Sequence, residues 1–195
     1  MKYIFPVTIF ATLLSLIACK RLSDKYPSAD KETKALSKIP GINAGAGRFT
    51  ITAPPGWKNF DTTINGIKFR FIMAPRKYNV AFTPNMNILS EKMNGASLEA
   101  YFAGAKKGVS GMKDFEVIGT GRKELHGMPG MWMQYYCTSK SGLKMELIFT
   151  MFVADDIIYN VTMATAQGEM TRFKPSFDSV LNSFTLATPA PQPVR

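Results

Sequence analysis

Residues 130–165 read GMWMQYYCTSKSGLKMELIFTMFVADDIIYNVTMAT. Apolar side chains recur at alternate positions in three runs, over about 130–138, 143–154 and 157–165. A period of two belongs to strands, whose successive side chains point to opposite faces. Only Ser139-Lys-Ser-Gly142 and Asp155-Asp156 separate the runs. Connections that short cannot carry a crossover, so neighbouring strands pair antiparallel. Strands this apolar need a second layer to cover them.

Upstream, 114–125 reads as a further strand, and before it Ser97 is placed to cap a helix reaching about Lys107. Leu98, Tyr101, Phe102 and Ala105 recur at helical spacing, and Gly108 is expected to end the helix. Three more strands precede it: 48–53, with Phe49, Ile51 and Ala53 alternating; Ile67–Met73; and about 85–91. The first breaks at Pro54-Pro55-Gly56-Trp57. Downstream, a closing helix is expected from Pro175 to Ser183, with proline in its first turn and Phe177, Val180, Leu181 and Phe184 on its inner stripe. The order is β-β-β-α-β-β-β-β-α. The fold class is α+β, an antiparallel β-sheet covered by helices.

These residues carry a resemblance. Phe49-x-Ile51-x-x-Pro54-x-Gly56-Trp57, Asn85-x-Asn87-Ile88, Ser97-Leu98-x-x-Tyr101, Gly127-Met-Pro129-Gly130 before Tyr135-Tyr136, and Val180-Leu181-x-Ser183-Phe184 follow one another over about residues 47–186. In that order and spacing the chain resembles the PsbP-like superfamily, closest to its bacterial envelope branch of DcrB-type lipoproteins. The resemblance implies an αβα sandwich and an accessory role (binding, scaffolding or assisting a membrane complex). It brings no catalytic triad with it. It also accounts for Gly127 and Pro129-Gly130 as a turn.

The first residues, MKYIFPVTIFATLLSLIAC, read as an address. Lys2 is a one-charge start, and residues 3–17 form a mostly apolar run of about fifteen residues. Such a run spans roughly 22 Å, short of the ~30 Å hydrocarbon core, so a signal peptide fits better than a spanning helix. Leu16-Ile17-Ala18-Cys19 resembles a bacterial lipobox, in which the cysteine is acylated and the chain cut before it. Residues 1–18 are then a lipoprotein signal peptide. Residues 19–47 are a lipidated cysteine and a flexible tether, with a short helix over 31–38. Residues 48–187 are the PsbP-like domain and 188–195 a proline-rich tail. Two or three acyl chains hold far more firmly than one. Lys20 after the cysteine favours the outer membrane, facing the periplasm.

The chain has 195 residues and a formal net charge of +10. Residues 1–47 contribute seven Lys/Arg against three Asp/Glu, and the rest seventeen against eleven. The pairs Arg76-Lys77, Lys106-Lys107 and Arg122-Lys123 are spread along the chain and read as solvated faces. Export removes nucleic acid as a partner and leaves anionic headgroups or acidic envelope polymers.

Two cysteines and one histidine limit the chemistry. With Cys19 lipidated, Cys137 has no disulfide partner, and its apolar strand predicts burial. Gly119-Thr-Gly121 lacks the third glycine of a dinucleotide loop and reads as a bend in a strand. Asp155-Asp156 reads as a polar hairpin turn, and Glu116, Glu124 and Glu146 as an exposed polar face. Asn160-Val-Thr162 has an acceptor-sequon pattern inside an apolar strand. The sharpest local cluster is His126, Met128, Met131 and Met133, whose imidazole and thioethers suit Cu(I). Against it stands the use of methionine as a core filler. An enzyme using Asp155 or Glu146 as base ranks below both readings.

The expectation is therefore a non-enzymatic, membrane-anchored binding or accessory module of the cell envelope, without a cofactor. Its partners are membrane lipid through acylated Cys19 and an envelope protein docking on the sheet or on loops near Trp57 and Pro75 to Pro84. The alternative is an envelope Cu(I)-binding protein.

Overall fold

A computed structural model describes residues 49–64, 67–76 and 82–187. Residues 1–48, with the expected leader, Cys19, tether and helix at 31–38, and the tail from 188 lie outside the described residues. The elements are β1 (Phe49–Thr50), β2 (Lys58–Ile64), β3 (Ile67–Met73), β4 (Asn85–Lys92), α1 (Leu98–Val109), β5 (Lys113–Leu125), β6 (Met128–Thr138), β7 (Lys144–Ala154), β8 (Ile157–Ala166), α2 (Met170–Asn182) and β9 (Thr185–Leu186).

Seven strands form one sheet in the order β2-β3-β4-β8-β7-β6-β5, antiparallel at every pairing. Each face carries a helix, as the expected helix-covered sheet requires. On one face Met86, Ile88, Val161, Met163 and Phe152 pack under α2, whose Met170, Phe173, Phe177, Val180 and Leu181 form a continuous apolar stripe. On the other, Met133, Tyr135, Leu147, Phe149 and Met151 pack under Phe102, Ala105 and Val109 of α1. β1 and β9 pair with each other, and Phe49 stacks on Phe184 at 5.1 Å between ring centres.

Ser97 caps α1 as expected: the Ala100 amide donates to its hydroxyl at 3.2 Å. Glu99 in the first turn and Lys106 and Lys107 in the last complement the helix dipole. α1 continues through Gly108 to Val109 and is closed by Ser110.

Of the strand expected over 48–53 only Phe49–Thr50 pairs, its partner being the two-residue β9. Two further differences from the sequence expectation have physical reasons. β2 was not anticipated, because Lys58-Asn-Phe-Asp-Thr-Thr-Ile carries only a faint alternation. As an edge strand it needs apolar residues for one neighbour only, and Asp61 instead makes a forked ion pair with Arg70 of β3. α2 begins five residues before Pro175. Proline inside it forfeits one backbone hydrogen bond, but the earlier start buries Met170 and Phe173.

Register also gives the sandwich two distinct ends. The basal end carries the starts of β2, β4, β5 and β7, the β6–β7 turn, the last turn of α1 and the start of α2. The apical end carries the β5–β6 and β7–β8 turns and the end of α2.

Candidate functional site

The sheet divides the four residues of the His/Met cluster. Met128 belongs to the core under α2, whereas Met133 belongs to the core under α1 with Met131 packed against it. His126 and Gly127 both have positive φ, 50° and 81°, and form the two-residue β5–β6 turn. The turn is therefore not at Pro129-Gly130, which lie inside β6. The exposed imidazole sits with Nε2 3.0 Å from the Asn182 carbonyl, tying this turn to the end of α2. Cys19 lies outside the described residues.

Other singled-out residues have structural employment. Cys137 is buried, and burial pushes its thiol up to about 11, so the nucleophilic thiolate is suppressed at neutral pH. Glu146, expected on an exposed face, is 6% exposed. Its carboxylate accepts from Gln134 Nε2 at 2.6 Å and from the Gly168 amide at 3.1 Å, pinning the β8–α2 connection to β7. Asp155 and Asp156 are an exposed turn, as expected. Gly119 and Gly121 lie within β5 beside a register shift, and a Cβ on either would meet the Trp132 indole at 3.0 or 3.1 Å.

The strongest concentration of unfulfilled chemistry is a polar row beneath α1. Strand pairing sets Phe60, Phe71, Asn87, Thr162, Phe149 and Met133 side by side across the α1 face. Asn160 follows Thr162 two residues back along β8 on the same face. Asn87, Asn160 and Thr162 are 2%, 1% and 0% exposed. Asn87 Oδ1, Asn160 Oδ1 and Thr162 Oγ1 have no hydrogen-bond partner among the described residues. Asn160 Nδ2 donates to Glu91 Oε1 at 2.8 Å, and Glu91 also bonds the Tyr101 hydroxyl of α1. The row thus carries two amide oxygens and a hydroxyl without a donor, and Asn160 is held in place through Glu91 and Tyr101.

Unpartnered buried polar atoms cost stability, about 1–3 kcal/mol each. Thr162→Val keeps the shape and removes the hydroxyl, so it is expected to raise the unfolding free energy by about 1 kcal/mol, read by urea denaturation. Burial pushes the Glu91 carboxyl above its usual value of 4.5, partly offset by hydrogen bonds from Tyr101 and Asn160. Below 4.5 both folded and unfolded states are protonated, and Glu91 has no pH-dependent effect. Above it the folded state holds the proton longer, so stability falls as pH rises through the raised folded value and then levels. Glu91→Gln lacks this loss. Its stability relative to the parent should grow from pH 4.5 to 8 in parallel denaturation series; a constant offset would contradict the assignment.

Asn85-x-Asn87 and Asn160-Val-Thr162 are polar residues at period two in central strands. Their common signal is that β4 and β8 are neighbours with matching register.

No family model matches the chain, and no curated protein matches it by sequence. Solved structures do. LpqN of Mycobacterium tuberculosis, described as involved in cell envelope biogenesis, aligns with TM-score 0.59 and 12% identity over 85% of this chain and 100% of its own. A putative regulator from Pseudomonas aeruginosa aligns with TM-score 0.54 and 13% identity over 75% and 100%. The cyanobacterial PsbP of Synechocystis aligns with TM-score 0.51 and 11% identity over 85% and 99%. The fold is PsbP-like.

Proposed function

We propose that the chain is a lipid-anchored protein of the bacterial cell envelope, and that its PsbP-like domain binds a partner without transforming it. The observation that carries this reading is the uncharged apolar run ending in Leu16-Ile17-Ala18-Cys19 and followed by Lys20-Arg21. The envelope role of LpqN, a protein of the same fold, supports it. So does the state of the reactive side chains: the thiol is buried, the imidazole faces a backbone carbonyl and Glu146 is spent on the β8–α2 connection. The Lys20 context favours the outer membrane.

The test is Cys19→Ser in a bacterial host, followed by metabolic labelling with an alkyne fatty acid and membrane fractionation. The parent should incorporate label, mature to a shorter chain and sediment with membranes. The variant should lose label entirely and keep its leader. A variant that matures and labels like the parent would sink the anchor.

A further inference from the structure

The cations that looked scattered in sequence are sorted by the fold. Lys58 begins β2 and Arg76 follows β3, at one side of the basal end. Lys113 and Lys144 begin β5 and β7 and pair with the same residue, Thr138 of β6. Lys140 sits in the turn between β6 and β7, and Lys106 and Lys107 close α1 one layer away. All seven are exposed, and none forms an ion pair among the described residues. The acids nearby are few: Asp114 accepts from the Thr138 hydroxyl at 2.7 Å, Glu169 is paired with Arg172, Glu146 is buried with its carboxylate accepting from Gln134 and Gly168, and Glu116 lies farther up β5. The apical end is mixed, with Lys68, Lys92, Arg122 and Lys123 among Glu91, Glu99, Glu124, Asp155 and Asp156.

We infer that the basal end is an electrostatic docking surface for an anionic lipid bilayer. Seven strands at about 4.8 Å spacing make the sheet roughly 29 Å wide, and the cations run from one edge strand to the other. They also extend from the sheet layer to the helix layer, which makes a two-dimensional patch rather than a line. Such a patch suits a surface better than a single thread of acidic polymer. Six of the seven are lysines, compact hydrated charges on flexible stems that attract a headgroup layer without requiring a fixed geometry. They stand at strand starts, after a strand end, in a turn and at a helix end.

Each lysine near anionic headgroups strengthens partitioning roughly five-fold. The test uses the full chain with Cys19→Ser, so that acylation contributes nothing, and compares three forms. These are that parent, the parent with Lys106, Lys107, Lys113, Lys140 and Lys144 changed to Gln, and the parent with Lys68, Lys92 and Lys123 changed to Gln. Partitioning is measured by sedimentation with vesicles of phosphatidylglycerol and phosphatidylcholine (1:1) and of phosphatidylcholine alone. The leader is common to all three and cancels. The basal form should lose on the order of 1,000-fold or more on the anionic vesicles at low salt, about five-fold for each of its five lysines, and nothing on the neutral ones. The apical form should lose only several-fold, and high salt should erase the differences. Unchanged circular dichroism melts show that the exposed substitutions leave the fold intact. Equal losses in the two variants, or no preference for anionic vesicles, overturn the inference. So does displacement by soluble polyglutamate at equal charge, which would assign the patch to an acidic polymer.

Discussion

Phe177→Ala is expected to lower the unfolding free energy of the domain by about 3–5 kcal/mol. Phe177 is fully buried at the middle of the α2 stripe. Its ring meets the Trp57 indole edge-on at 5.7 Å, and Phe173 meets the same indole at 6.4 Å. The segment from β1 to β2 is thereby clamped along α2. Truncation removes apolar area from water-free surroundings and leaves a cavity that sheet and helix cannot both collapse into. A domain of this size is typically stable by about 5–15 kcal/mol, so the loss consumes a large fraction of the total. Urea denaturation followed by tryptophan fluorescence measures it. Phe177→Leu, which refills most of the volume, should recover the greater part. A loss below about 1 kcal/mol for the alanine variant would mean that α2 is not a principal cover of this face.

The parts of the fold legible in sequence are those where one physical constraint dominates. β6, β7 and β8 lie in the interior of the sheet, so both their faces are constrained and their turns are too short for any pairing but antiparallel. α1 announces itself by Ser97 and by a stripe at helical spacing. β2 escaped because an exposed edge strand is written mostly in polar residues. The true start of α2 escaped because Pro175 is a legitimate first-turn residue, while burial of Met170 and Phe173 is a tertiary gain invisible to local pattern.

Candidate sites were less legible, because what joins residues is strand order. The sequence keeps Met128, Met131 and Met133 within six positions, yet alternation sends the first to the opposite core from the other two. Conversely, Asn87 and Thr162 are remote in sequence and adjacent in the sheet. Glu146 reads as surface because a charged residue in a strand usually is. Its burial depends on donors from Gln134, on the neighbouring strand, and from Gly168, beyond β8. The basal charge follows the same logic. Lys106-Lys107 and Arg76 are distant pairs along the chain, brought to one end because α1, β3, β5 and β7 all begin or finish there.

Gly130 provides the sharpest test of that strand order. It lies in β6 directly opposite Phe152 of β7, and its φ is not in the left-handed region, so backbone conformation does not demand glycine. Space does. A Cβ there would stand 2.3 Å from the Met151 carbonyl oxygen and 2.7 Å from the Phe152 ring. The oxygen belongs to a paired backbone and cannot swing aside like a side chain, so β6 and β7 would have to separate locally. Gly130→Ala is therefore expected to cost about 3 kcal/mol, the upper end of the usual overpacking range. Gly111 is the matched control: a Cβ added there meets nothing within 4 Å, and Gly111→Ala should change stability by no more than about 0.5 kcal/mol. The same substitution at two glycines thus separates a steric demand from the general effect of replacing glycine. Equal effects at both positions would mean that β6 and β7 are not seated in the register that brings Gly130 against Met151 and Phe152.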